Sequence, residues 1–284
     1  MLKKIFFAAA LLLASELGAK PVVIASIAPV EYLAKAVGGD KIEVQSLAKG
    51  DVHSYEPKPN DMKAVAKARI FIAAGLEFEE AWIPRFKASA KNLVVVKSDA
   101  KIAKLKEERG EQAEHDEKHE AHADPHVWLN PMLAITMARN ISDALIDMDK
   151  ANKDFYLENF QKLMNDLLAF DESAKESLAG LKNRKFVVYH PAWGYFAAHY
   201  DLEQISIERS GKEPKIDEMA STVKMIKDEN IKVIFADPNR SQKSAQVLAS
   251  QTGAKVELLD PLGYNLLENL KIAVRAIKDA NSPK

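Results

Sequence analysis

The chain has 284 residues, 47% of them hydrophobic and 29% charged, which suits one large globular domain or two of ordinary size. Lys plus Arg number 40 and Asp plus Glu number 41, giving a formal net charge of -1 with no long basic run, so nucleic acid is not expected as a partner. Cysteine is absent, which excludes disulfides, thiolate metal sites, iron–sulfur clusters and cysteine nucleophiles.

The first 19 residues have the pattern of an export signal. Two lysines precede an apolar run over residues 5–14, and the segment that follows, residues 15–19, ends in the small residues Gly18 and Ala19. The run is shorter than the roughly 20 apolar residues of a membrane-spanning helix. We therefore predict that residues 1–19 are a signal peptide, that cleavage falls near Lys20, and that the protein is exported and soluble. A buried N-terminal strand is the alternative for the apolar run.

Short apolar runs then alternate with helical patterns in two series. Strands are predicted at residues 22–24, 42–47, 70–73 and 93–96, and again at 186–189, 205–207, 231–236 and 256–258. A helix is predicted at 31–37, and a second helical pattern surrounds Met62 and Val65. Strands that alternate with helices imply crossover connections and mostly parallel sheets.

A single long helix is predicted between the two series, over residues 151–179. Its apolar residues recur at steps of three and four: Tyr156, Phe160, Leu163, Leu167, Phe170, Ala174 and Leu178. At 1.5 Å per residue this helix is about 40 Å long, too long for an ordinary crossover. The predicted fold class is therefore α/β, with two α/β lobes of mostly parallel sheet bridged by one long helix and a ligand crevice between them. The predicted divisions are an N-terminal lobe at 20–130, a helical region at 131–181 and a C-terminal lobe at 182–284.

Three histidines lie at predicted element ends. His53 follows the second strand, His126 lies in a Pro-rich loop, and His190 directly follows the strand at 186–189. Taken singly, a histidine in such a loop is more often structural than a ligand. Ligands of open α/β sheets, however, bind beyond the carboxyl ends of the strands, and neutral imidazole is the commonest nitrogen ligand of zinc. The three together therefore suggest a metal site between the lobes.

Asp260 is the candidate for a fourth ligand. It lies just beyond the strand at 256–258, in the position that His190 occupies after its own strand. A carboxylate would complete four-coordination and offset the charge of the ion. An Asp that precedes a proline also commonly begins a turn, so the turn role stays open.

Four stretches then resemble a known family. They are HSYEP at residues 53–57, DPHVWLNP at 124–131, HPAWGYF at 190–196 and LDPLG at 259–263. In order, over nearly the whole chain after the signal, they resemble the solute-binding proteins of zinc and manganese ABC transporters, most closely the periplasmic zinc-binding ZnuA type. The family fold is two α/β lobes bridged by a long rigid helix.

The resemblance implies a function and a ligand set. His53, His126, His190 and Asp260 are implied to bind a zinc ion, which is captured in the periplasm and delivered to a membrane ABC permease without enzymatic chemistry. Manganese-type members have Glu in place of His190, and three imidazoles with one carboxylate favour zinc. A monomer is expected. One departure is Pro191, where many members have Asp after the third ligand.

A short histidine-rich loop at residues 111–124 accompanies this pattern. His115, His119 and His122 lie among acidic residues at steps of four and three, so we expect a weak secondary metal-binding patch. The alternative is a solvated acidic loop without a metal role, since the segment has no large apolar residue to anchor it.

Other readings remain open from the residues. A manganese carrier of the same class is the nearest, and a secreted zinc hydrolase would use three protein ligands and a metal-bound water. No His-Glu-x-x-His sequence supports the hydrolase. A surface adhesin is a third alternative function.

The remaining polar and aromatic candidates are expected to have structural roles. His199 is expected to be a packing or surface residue, and Glu56 a turn residue rather than a general base. We expect Trp128, Trp193 and Tyr195, which flank the implied ligands, to shield the site or pack the lobes.

Overall fold

The structure, a computed structural model, describes residues 19–106, 123–208 and 216–281. The first lobe is built on a parallel sheet of β1 (Val22–Ala25), β2 (Glu43–Ser46), β3 (Ile70–Ala73) and β4 (Val94–Lys97), in the order β2-β1-β3-β4. Helices α1 (Ala28–Gly38), α2 (Pro59–Val65) and α3 (Glu77–Ser89) connect these strands. The central strands β1 and β3 are almost wholly buried, which explains their unbroken apolar sequences.

Two long helices follow the first sheet. Asn130 begins α4 (Pro131–Met148) by accepting hydrogen bonds from the backbone N–H groups of Met132 and Leu133, and Pro131 fits the first turn. After a short 3-10 turn, α5 (Lys153–Ala179) runs for 27 residues. All seven residues of the predicted apolar stripe of α5 are buried. They pack the helix against α1 and α4 of the first lobe and against the last helix of the second.

The second lobe repeats the parallel arrangement. Its strands are β5 (Lys185–Val188), β6 (Glu203–Ser206), β7 (Val233–Ala236) and β8 (Lys255–Leu258), in the order β6-β5-β7-β8. Its helices are α6 (Gly194–His199), α7 (Ile216–Asp228), α8 (Lys243–Thr252) and α9 (Leu266–Asn281). The strand β5 therefore lies between β6 and β7, and the loops that follow all three strands leave from one edge of the sheet.

The predicted fold class is confirmed: two parallel-sheet α/β lobes are joined by a long helix. Element ends differ by one to three residues. Helix α1 begins at Ala28 rather than at residue 31 because Pro29 is accommodated in its first turn, and α5 begins at Lys153 because residues 150–152 form the 3-10 turn. The division at 130/131 and 181/182 remains a prediction.

The predicted signal peptide lies almost wholly outside the described residues, which begin at 19. In the described part of the chain, every helix is too short or too polar to span a bilayer.

Candidate metal centre

His53, His126 and His190 converge in the crevice between the lobes. One ring nitrogen from each lies within 4.8 Å of the others, and the Nε2 atoms of His53 and His190 are 3.2 Å apart. Within residues 19–106, 123–208 and 216–281, this is the one group of three or more His, Asp or Glu side chains arranged to hold an ion. His126 and His190 are buried, whereas His53 is exposed. The cluster therefore has two fixed imidazoles and one on the solvent side.

Asp124 orients His126. The Oδ1 atom of Asp124 accepts a hydrogen bond from the His126 backbone N–H at 2.9 Å and lies 2.7 Å from the His126 Nδ1. Both side chains are buried. A carboxylate at Nδ1 keeps the proton on that nitrogen, so the Nε2 lone pair faces the crevice.

Glu208 orients His190 in the same way, with its Oε2 2.8 Å from the His190 Nδ1. Its position follows from the sheet. The Glu208 backbone N–H donates to the Tyr189 carbonyl at 2.8 Å, which continues the pairing of β6 with β5 and places Glu208 beside His190. The loop after His190 turns tightly, since the Ala192 N–H donates to the His190 carbonyl at 2.9 Å across Pro191. Pro191, where the resemblance led us to expect Asp, is thus compatible with a His190 that faces the other histidines.

Arg240 brings a positive charge to the site. Its Nη1 lies 2.6 Å from the Glu208 Oε2 and 2.7 Å from the His190 Nδ1, and its Nη2 lies 3.6 Å from the Asp51 Oδ2. Neither Glu208 nor Arg240 is among the site residues predicted from the sequence. Glu208 follows β6 by two residues and Arg240 follows β7 by four, so the rule that singled out His190, a polar residue just beyond a strand end, would also have selected them.

The electrostatics keep the imidazoles of His53 and His190 neutral. Although the His53 residue as a whole is exposed, desolvation of its ring in the crevice, followed by the neighbouring His126 and Arg240, lowers the pKa of His53 to about 4. The same causes, in the same order, place the pKa of His190 well below its usual range. Burial raises the pKa of the Glu208 carboxyl, and Arg240 opposes that rise. Uncharged imidazoles at neutral pH have lone pairs available to a metal ion.

Asp260 is held by its own loop. Its Oδ1 accepts hydrogen bonds from the Asn239 side chain and from the Leu262 backbone N–H, both at 2.8 Å. It does not belong to the group of ligand atoms formed by the three histidines. Its role as a fourth ligand remains a prediction.

The aromatic residues near the histidines join the loops of the two lobes. The buried Trp128 donates from Nε1 to the Pro261 carbonyl at 2.8 Å, and its ring centroid is 5.3 Å from that of His126. The Tyr195 hydroxyl donates to the Asp124 carbonyl at 2.8 Å and accepts from the Leu105 N–H at 2.8 Å. The loop that carries His126 is therefore fixed from the second lobe, as expected for residues that pack the lobes together.

The other histidines lie elsewhere. His199 contacts the Asp171 carboxylate of α5 at 2.6 Å, which is a packing role. His115, His119 and His122 lie outside the described residues.

Two parallel-sheet lobes on a long helix, with a histidine cluster in the crevice between them, define a metal-binding protein of the bilobal solute-binding class. Residues 23–280 match the family described as zinc-uptake complex component A, periplasmic, and the chain belongs to this family. The high-affinity zinc uptake system protein ZnuA of Bacillus subtilis (strain 168) is 30% identical over 284 residues, which cover 93% of this chain and 88% of that protein.

Solved structures agree with this assignment. A crystal structure of ZnuA has a TM-score of 0.85 at 35% identity and covers 93% of this chain and 100% of that one. A ZnuA deletion mutant with zinc bound has a TM-score of 0.86 at 34% identity, with 93% and 99% of the two chains covered. The sequence resemblance to zinc-binding solute-binding proteins is therefore confirmed.

Proposed function

We propose that this protein captures a zinc ion in the periplasm and delivers it to a membrane ABC permease for uptake. The observation that carries the proposal is the meeting of His53, His126 and His190 within 4.8 Å, on loops from both lobes. The ZnuA of Bacillus subtilis is a high-affinity zinc uptake protein, and one of the solved ZnuA chains has zinc bound. The ion is the cargo, and the ABC permease is its recipient.

The donor set favours zinc over manganese. Three imidazole nitrogens form a borderline-soft site, whereas manganese prefers carboxylate and other oxygen ligands. Asp260 is proposed to complete the tetrahedron as a carboxylate. The single negative charge of Asp260 would offset one of the two positive charges of the ion, which the three neutral imidazoles cannot do.

The protein is proposed to act without catalysis, as a monomer. A zinc hydrolase needs an open coordination position and a base beside the metal-bound water. The carboxylates of Asp124 and Glu208, which contact the histidine rings, are instead bound to the outer nitrogens of His126 and His190. That arrangement suits ligand orientation rather than activation of a water molecule.

Zinc titration of the purified protein tests the proposal, with His190→Ala against the control His199→Ala. Wild type should bind one ion tightly per chain, and His190→Ala should weaken binding strongly because it removes one of three imidazoles. His199→Ala should bind like wild type, since His199 contacts α5 instead. Equal losses in the two variants would contradict the ligand assignment.

A further inference from the structure

Arg240 spans the crevice from the second lobe to the first. Its side chain is only 17% exposed. From the loop after β7, the guanidinium contacts Glu208 and His190 of its own lobe through Nη1 and pairs with Asp51 of the other lobe through Nη2, at 3.6 Å. One planar cation therefore lies between two carboxylates that belong to different lobes.

Each carboxylate organises one of the metal-site histidines. The Asp51 carboxylate accepts hydrogen bonds at 3.2 Å from the His53 backbone N–H and from the Ser54 hydroxyl, which shapes the turn that presents His53. The Glu208 carboxylate is bound to the outer nitrogen of His190.

We propose that Arg240 is a positioning residue that ties the His53 loop to His190 across the crevice and so preforms the metal site. The inference rests on the proposed zinc site. His53 is the exposed member of the cluster, and burial therefore fixes its loop less than it fixes His126 and His190. A contact with the opposite lobe stabilises the position of this loop. An arginine suits this task because its rigid planar fork holds two carboxylates in a fixed relative geometry, whereas the rotatable ammonium of a lysine imposes no such geometry. Holding ligands in their bound geometry reduces the ordering cost of binding.

The bond pattern around His190 supports the same role. If Arg240 donated to the His190 Nδ1, the ring proton would lie on Nε2, and that nitrogen could not bind a metal. If Glu208 accepts from both the His190 Nδ1–H and the Arg240 Nη1–H, the Nε2 lone pair is free for the ion. Binding of an ion at Nε2 requires the second arrangement, in which the Glu208 Oε2 accepts from both groups, at 2.8 Å from the His190 Nδ1 and 2.6 Å from the Arg240 Nη1. Arg240 then fixes the carboxylate that fixes the histidine, and its 2.7 Å approach to the His190 Nδ1 is a contact between two donors that must lengthen.

The direction in which zinc affinity changes when Arg240 is replaced distinguishes a positioning role from a simple effect of its charge. A positive side chain beside a divalent cation repels it, so an Arg240 that acted only as a nearby charge would weaken zinc binding, and its removal would tighten binding. An Arg240 that positions the ligands has the opposite signature: its neutral replacement weakens binding although a repulsive charge has been removed.

The test is a double-mutant cycle on Arg240→Gln and Asp51→Asn in the full-length protein, with zinc affinity measured by competition against a chromophoric chelator. Arg240→Gln should weaken zinc binding about tenfold, the lower end of the roughly 10–100-fold range found when outer partners of metal ligands are replaced. Asp51→Asn should weaken it less. The double variant should bind zinc no more weakly than Arg240→Gln alone, because both substitutions break the same contact, the Arg240–Asp51 pair. Arg240→Lys, which keeps the charge but not the fork, should lie between wild type and Arg240→Gln.

The matched control is Arg139→Gln, which breaks an exposed Arg–Asp pair with Asp143 on α4 and should leave zinc affinity unchanged. Unfolding midpoints of the metal-free variants report any loss of fold, and the partly exposed Asp51→Asn tests the same link if Arg240→Gln does not fold. Unchanged or tighter zinc binding by Arg240→Gln would overturn the proposal, as would losses that multiply in the double variant. A wild type that binds no zinc would instead refute the proposed function itself.

Discussion

Removal of the Asp124 carboxylate should weaken zinc binding although Asp124 is not itself a proposed ligand. In the structure the Asp124 Oδ1 accepts from two groups of His126, the ring Nδ1 and the backbone N–H. The side chains of Asp124 and His126 are both less than 10% exposed. Asp124→Ala leaves both donors without this acceptor and no longer selects the ring form with its proton on Nδ1. Asp124→Asn keeps an acceptor oxygen but loses the charge.

The expected size follows from these contacts. Loss of an outer partner of a metal-ligating histidine costs about 10–100-fold in affinity, or about 1.4–2.7 kcal/mol. Asp124→Ala should fall at the upper end of that range and Asp124→Asn at the lower end. The metal-free protein should also lose about 1–3 kcal/mol of stability in Asp124→Ala for each buried donor that is left unpaired.

Asp171→Asn is the matched control, because Asp171 makes a similarly buried contact with His199, and neither residue belongs to the histidine cluster. Zinc competition titrations and thermal unfolding in the presence of a chelator, run on all three variants, separate binding from stability. Asp171→Asn should change stability and leave zinc affinity intact. Wild-type affinity in Asp124→Ala, or equal losses of affinity in Asp124→Asn and Asp171→Asn, would refute the reasoning.

Three other predictions concern pH, metal choice and the histidine-rich loop. With the pKa of His53 lowered to about 4 and that of His190 lower than usual, binding of zinc between pH 7 and 5 should release fewer than three protons per ion, as potentiometric titration can check. For the same reason the unfolded chain binds more protons than the folded one between about pH 4 and 6.5, so the stability of the metal-free protein should fall as the pH drops through that window. His190→Glu should shift preference toward manganese, and an unchanged zinc-to-manganese affinity ratio would show that ligand softness does not set selectivity here. Deletion of residues 111–123 should abolish weak additional zinc binding and leave one tight ion, so loss of the tight ion would contradict the assignment of His126.

The local parts of the fold were predictable because they depend on short-range patterns. The stripe of α5 from Tyr156 to Leu178 follows a helical period, and every member of it is buried. His53 and His190 could be singled out because polar residues beyond the ends of parallel strands gather at one edge of a sheet. Both inferences require only the position of an element in the sequence, and no knowledge of which elements are neighbours.

The strand-end rule marks Glu208 and Arg240 as polar residues that follow strands, but it does not pair them with His190, because that pairing depends on strand order. Glu208 is 18 residues from His190 and Arg240 is 50 residues away, and no local pattern joins them. They meet because β5 lies between β6 and β7, so the loops after these two strands flank the loop after β5. The alternation of strands and helices predicts parallel pairing but does not give this order. The same limit applies to Asp51, whose link to Arg240 depends on how the two lobes face each other.

Strand order also explains why Asp260 differs from the histidines. The strand β8 pairs with β7 and not with β5, so the loop after β8 starts one strand farther from His190 than the loop after β7 does. At about 4.8 Å between neighbouring strands, β8 is about 10 Å from β5. Asn239, from the β7 loop, contacts the Asp260 carboxylate. Because the hydrogen bonds from Asn239 and Leu262 both end on Oδ1, coordination through Oδ2 would preserve them, and Asn239 would then orient Asp260 as Asp124 orients His126. For Asp260 to act as the fourth ligand, the loop after β8 would therefore need to move closer to the loop that carries His190, but the hydrogen bonds of Asp260 would not need to change.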